Sequence, residues 1–343
     1  MDKTVTIADL IIEGGHRVVS VVGLAKNSGK TTTLNRIIND LAFRPILLGL
    51  TSTGRDGEAV DSLLHIKKPR IEIGIGVVFT GVMGDLVWDI GREGAVEMIR
   101  TTELTTVMGN VIVARAKRSA QVVLVGPATV SEMGMLVESL LTIDGCTMVL
   151  VDGSMDRIAS AGPSIADGVV LAVGAVMGPD MEVVVEKTAH AVELLTTKKA
   201  TVSSPEASVN DRVVAVSETG VRWETRGGTL VSDCEWAFKR LGKGAEYLFT
   251  SGAVTDEALE GLIKRKRFPE LIVPDATRFM ISRRQKERWE NGGGRLSVVD
   301  RLRLVAVTIN PENPEGKGFD GRAFLQAMRE RLVGISVFDV MEH

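Results

Sequence analysis

The sequence is short of cysteine, histidine and net charge, and each shortage removes a class of function. Only Cys146 and Cys234 occur among 343 residues. They lie far apart and in no metal-type spacing, which argues against a disulfide framework or a zinc site and for a reducing compartment. The four histidines, His16, His65, His190 and His343, are scattered without ligand spacing, so a metallohydrolase is not expected. Forty-one Lys and Arg stand against 44 Asp and Glu, a formal charge of -3. Such a chain has no global positive field for nucleic acid or an acidic membrane surface, and the expected ligand is small and local. No apolar run reaches the roughly 18 residues of a membrane span. The start, "MDKTVTIADLIIEGGHR", lacks a basic segment followed by an apolar one. No export or insertion is therefore read, and the expected location is cytoplasmic.

What the chain does have is apolar material: 44% of it is hydrophobic, enough for one large domain or two ordinary ones. Val18 to Val22 is a β-branched run of the kind buried on both faces of a sheet, and Gly29 to Ala42 carries apolar residues at helical spacing. "PILLGLTST" (Pro45 to Thr53) reads as a second buried strand. Further strands are expected at "IEIGIGVVFTG", "GNVIVARA", "AQVVLVGPA", "CTMVLVDGS" and "DGVVLAVGA", with helices at Val130 to Leu141 and Asp180 to Leu195. Alternating strands and helices predict the α/β class, a mostly parallel sheet covered by helices. From Thr201 the texture turns polar ("TVSSPEASVNDR"), which places a join near residue 200. The expected division is a first domain over 1–200 and a C-terminal α/β region over 201–343, either continuing the first sheet or folding separately. "ENGGGRLS" (Glu290 to Ser297) reads as an exposed flexible tip.

The stretch "VVSVVGLAKNSGKTTTLN" passes from the first strand through small residues into the first long helix. Gly29-Lys30-Thr31, preceded by Gly23, forms a P-loop: consecutive backbone amides and the first helical turn surround phosphate oxygens, where the helix dipole favours an anion. Gly23, Lys26, Asn27, Ser28, Gly29, Lys30, Thr31 and Thr32 are the expected nucleotide-binding residues. Lys30 would neutralise the β and γ oxygens, Thr31 would give its hydroxyl to Mg²⁺, and Thr32 would donate to the α-phosphate. Lys26 could reach the γ-phosphate, act across a homodimer interface, or be a solvated loop lysine. In "TMVLVDGS", Asp152 stands at the carboxyl end of an apolar strand, as a metal-holding aspartate should. "GLTSTGRDGEAVD" supplies Asp56 and Glu58 after the second strand, Asp56 being the better candidate. Lys30, Asp56 and Asp152 are thus the expected catalytic residues, and Thr31, Asp56 and Asp152 the expected metal site, with ATP and Mg²⁺ as cofactors. The basic runs "KRKR" (Lys264 to Arg267) and "RRQKER" (Arg283 to Arg288) read as a solvated face or a partner surface, and nucleic-acid binding is not expected.

The spacing G-x-x-x-x-x-G-K-T resembles the loop of dethiobiotin synthetase and the cobyrinate amidases, and Asn310-Pro311 resembles the strand-end loop that cradles the base in such proteins. The phrases "GLAKNSGKTTTLN", "LGLTSTGRDGE", "VDGSMDRIASAGPSIADGVVLAVGAVMGPDMEVVVEKTAHAVELL" and "VTINP" together resemble the nucleotide-binding subunit of lysine 5,6-aminomutase reactivase. The resemblance covers much of residues 15 to 195. It implies a P-loop NTPase fold and an ATP- and Mg²⁺-dependent exchange of damaged cobalamin on an adenosylcobalamin-dependent aminomutase. It also implies a second ATPase subunit similar to mismatch-repair clamp proteins as partner. Asp156 and Arg157, in the phrase after Asp152, are candidate switch or interface residues. Two other readings are a ligase of the dethiobiotin synthetase kind and a non-catalytic nucleotide-binding scaffold.

Overall fold

Why each apolar run becomes a strand or a helix is seen in a computed structural model, which describes residues 5–56, 70–83, 95–143, 145–153, 162–202, 212–225, 229–314 and 316–342. The strands of its two main sheets are numbered here in chain order. In the first sheet these are β1 (Val18–Gly23), β2 (Leu47–Ser52), β3 (Val78–Val82), β4 (Val96–Thr106), β5 (Gly109–Ala116), β6 (Cys146–Asp152) and β7 (Gly168–Gly174). In the second sheet they are β8 (Val213–Ser217), β9 (Arg222–Glu224), β10 (Ala245–Thr250), β11 (Glu270–Val273) and β12 (Arg295–Val298). The chain then returns to the first sheet with β13 (Leu304–Asn310) and β14 (Val337–Asp339). Helices are α1 (Ile7–Glu13), α2 (Lys30–Leu41), α3 (Val130–Leu141), α4 (Met181–Leu195), α5 (Cys234–Leu241), α6 (Asp256–Lys264), α7 (Arg283–Asn291) and α8 (Gly321–Arg331).

The nine-stranded sheet runs β14-β13-β7-β1-β6-β2-β3-β5-β4. From β14 to β3 neighbouring strands are parallel, while β3, β5 and β4 pair antiparallel. β1 is buried at every position because both faces are covered. On one face Val19 and Val21 join Ile7 and Ile11 of α1 and Leu34, Ile37, Ile38 and Leu41 of α2. On the other, Val18, Val149 and Val151 join Met133, Val137 and Leu140 of α3. Each such buried Leu, Ile or Met stabilises the fold by about 1.5–3 kcal/mol. The caps are local: the Thr6 hydroxyl accepts from the Asp9 amide at 3.2 Å, and the Thr6 amide donates back to the Asp9 carboxylate at 3.0 Å.

Residues 1–189 and 303–343 form one compact unit and residues 190–302 a second. The join falls near 190 rather than 200, and the two expected fates of the C-terminal region divide it: the part up to 302 folds separately, while β13 and β14 continue the first sheet. Ala306 pairs with Val170 and Val307 with Val337, inside the first sheet. The second unit has its own sheet, β9-β8-β10-β11-β12, with β8 antiparallel to both neighbours and β10, β11 and β12 parallel. Its core gathers Leu248, Leu259, Leu262, Leu271 and the fully buried Trp289.

Three local expectations also change. "GNVIVARA" is a strand, but an antiparallel one. "IEIGIGVVFTG" is divided into Ile71–Ile73 and β3 by a turn in which Gly76 takes φ 87°. "ENGGGRLS" is exposed at 291–293, yet its shape is demanded rather than free. A Cβ on Gly292 would lie 2.2 Å from the Phe268 ring and one on Gly294 2.5 Å from Trp289, and Gly293 takes φ 95°. Among the described residues, no helix is long and apolar enough to cross a membrane.

Candidate functional site

Parallel strands deliver their carboxyl ends to one edge of the sheet, and the pairing register states which residues arrive there. Asp152 lies opposite Val21 on one side and Ser52 on the other. Gly23 lies opposite Ala172, and Gly174 opposite Asn310. The ends of five adjacent strands therefore carry Asn310, Gly174, Gly23, Asp152 and Ser52. At β7 and β1 the chain diverges: it continues from β1 to β2 on one side and from β7 to β13 on the other. Ligands of open α/β sheets bind at the carboxyl end of such a divergence.

The loop between β1 and α2 sits at this edge. The Leu24 amide donates to the Ala172 carbonyl at 3.2 Å, prolonging the β1–β7 pairing by one residue. Asn27 (φ 60°) and Gly29 (φ 92°) are left-handed, and their reversal curls the loop into the first turn of α2. The Thr33 amide donates to the Gly29 carbonyl at 2.9 Å and opens the helical ladder, so the amides ahead of it lie outside that ladder. Three glycines make room. A Cβ on Gly23 would lie 2.3 Å from Ser28 Oγ and 2.9 Å from Lys30 Cγ; the lysine stem runs across this glycine. A Cβ on Gly174 would lie 2.9 Å from Ser28 Cα, and one on Gly29 2.8 Å from Asn310 Cβ. Ser28 is 1% exposed, and its Oγ has no hydrogen-bond partner among the described residues.

Lys30, Thr31 and Thr32 are half-buried and Lys26 is exposed. Asp152 is buried at 1% exposure, its backbone carbonyl accepting from the Thr53 amide at 2.9 Å. Asp56 pairs through its backbone with Leu124, in the antiparallel bridge of 55–56 with 124–125; its side chain lies outside the described residues. Glu58, Asp156, Arg157, His65 and His343 also lie outside them. Asn310 uses its Oδ1 to accept from the Glu312 amide at 3.0 Å, and the Pro311 carbonyl accepts from the Phe319 amide at 2.8 Å, so this corner is shaped by its own turn.

The structure thus brings Gly23, Ser28, Gly29, Lys30 and Asn310 into one cluster and sets Asp152 on the neighbouring strand end. Among the described residues, no group of three His, Cys, Asp or Glu side chains could hold a metal by itself. Two residues of the site were not read from the sequence: Gly174, whose missing side chain admits the loop, and Thr308, whose Oγ1 lies 2.7 Å from Thr33 Oγ1 in a buried pair tying β13 to α2. A glycine closing the apolar run "GVVLAVG" was the available signal for the first. The arrangement offers main-chain donors, a cation and a nearby carboxylate, which together fit a polyanion accompanied by a divalent cation. Comparison with protein-family models, curated proteins and solved structures gives no match.

Proposed function

We propose that the chain binds a nucleoside triphosphate with Mg²⁺ in the loop from Gly23 to Thr32 and hydrolyses it, as a P-loop NTPase does. One observation carries this reading. The Lys30 stem lies across a strand-terminal glycine, and left-handed Asn27 and Gly29 lead into the first turn of α2. In that posture the loop amides and Lys30 surround the β and γ oxygens and withdraw their charge. Thr31 and Asp152, with Asp56, would hold Mg²⁺, which supplies further charge neutralisation when bound. Asn310, beside Gly29, and Pro311 would contact the base, a role taken from their resemblance to the strand-end loop of dethiobiotin synthetase-like proteins.

The biological role is read from the resemblance of residues 15 to 195: reactivation of an adenosylcobalamin-dependent aminomutase, with ATP turnover driving exchange of damaged cobalamin. Nucleotide state acts on a client only through binding that differs between the two states. The test measures ATP hydrolysis by the full chain alone, then with inactivated aminomutase and the clamp-like ATPase subunit. Stimulation by the inactivated enzyme is expected. ADP formation that requires a small carboxylic acid and an amine would support a synthetase instead, and tight binding without turnover in the assembled complex would support a scaffold.

A further inference from the structure

The second unit contains a cleft of about 340 Å³ at the amino ends of β10, β11 and β12, whose walls include Glu246, Lys266, Arg267, Phe268, Glu270 and Arg295. Its charges are unevenly matched. Glu270, 7% exposed, is met by Arg295 at 2.7 Å. Arg265, Lys266 and Arg267 are consecutive and exposed, and none has a carboxylate in ion-pair reach among the described residues. Arg265 and Arg267 instead lie over the Phe238 ring, at 5.5 and 5.8 Å from its centre. Three neighbouring cations repel one another unless an anion joins them.

The backbone adds an independent observation. Lys266 ends α6 in the left-handed region, φ 51°, with its amide on the Ile263 carbonyl at 2.9 Å and the Arg267 amide on the Leu262 carbonyl at 3.2 Å. Glycine is the ordinary residue at this helix-ending position, and a side chain there costs about 1 kcal/mol. Every other left-handed position among the described residues is a glycine, except Asn27 in the loop before α2. A lysine standing where glycine is easier points to use of its side chain. The floor beside it is firm: Phe268 meets Trp289 edge-on at 5.7 Å, and Gly292 packs against the same ring.

We propose that this cleft binds a small organic phosphate, its phosphate held by Lys266 and Arg267 and its less polar body lying against Phe268 and Pro269. The volume falls in the range of small-molecule sites, about 300–1,000 Å³, and is small for a folded polymer. An ammonium beside a guanidinium fork suits a doubly charged phosphate better than a single carboxylate. This assignment concerns the second unit and stands apart from the reading of the loop before α2.

The experiment is calorimetry on the full chain carrying Lys30→Ala throughout, without Mg²⁺, so that the first unit contributes no signal. Ribose 5-phosphate, AMP and adenosine are the probes, and Lys266→Gly and Arg267→Gln the added variants. Expected are saturable, salt-sensitive binding of both phosphates, none of adenosine, and about tenfold weaker binding in either variant. Lys266→Gly should melt no lower than its parent, so its loss of binding is not loss of fold. The proposal is overturned if neither phosphate saturates at millimolar concentration, if both variants bind unchanged, if adenosine binds as well as AMP, or if a short single-stranded oligonucleotide binds more tightly than either phosphate.

Discussion

Gly29 answers to two constraints at once: φ 92° and an Asn310 Cβ that would stand 2.8 Å from an added methyl. Gly15 shares only the first, with φ 67° and nothing within 4 Å. Gly15→Ala is therefore expected to cost about 1 kcal/mol, and Gly29→Ala a further 1–3 kcal/mol or so from overpacking. Denaturant melts of the two variants check the ordering; equal losses would mean that the Asn310 contact yields freely. Residues of this kind were legible because the loop is contiguous in sequence and each small residue has a local reason. Gly174 and Thr308 were not, because what they touch lies on strands far away along the chain.

At the level of elements, the 2.7 Å hydroxyl pair Thr33–Thr308 joins a helix to a strand inside the core. Thr308→Val leaves the Thr33 hydroxyl buried without that partner and should cost about 1–3 kcal/mol; Thr33→Val added to it should cost much less. A double-mutant cycle measured by chemical denaturation tests that coupling. In the second unit, Glu260 on α6 accepts from Gln285 at 2.8 Å and from Arg288, both on α7. These bonds, Gln285 first, lower its pKa from 4.5 to about 2 against a smaller opposing effect of burial. A carboxylate held low contributes stability that is complete above its unfolded value and is lost as pH falls through the folded one. The melting-temperature gap between wild type and Glu260→Gln should thus be widest above pH 4.5 and close toward about pH 2. A gap independent of pH would assign the loss to something other than this charge. Elements buried on one or both faces were legible from their apolar spacing, as with β1, α2 and α3. β4 was not: its residues are mostly exposed, its register to β5 slips twice, and its sequence shows no buried periodicity.

For the whole molecule, the chain leaves its first sheet, builds a second unit over 190–302 and returns to finish the first. The C-terminal region was legible as α/β, but spacing carries no information about which distant strand accepts β13. Because the second unit has its own core around Trp289, residues 190–302 expressed alone should fold with a cooperative thermal transition. Residues 1–189 alone should not, since β7 would lose its β13 neighbour along an otherwise fully buried strand. Circular dichroism melts of the two pieces decide it, and a cooperative melt of 1–189 would contradict the division. The central claim is that the loop before α2 grips a polyphosphate, and calorimetric titration of ATP and of GTP in saturating Mg²⁺ tests it most directly. Saturable, Mg²⁺-dependent binding of at least one triphosphate to wild type, with that Mg²⁺-dependent component lost in Lys30→Ala, is the predicted result; no binding of either, or a Mg²⁺-dependent component untouched by the substitution, would contradict it.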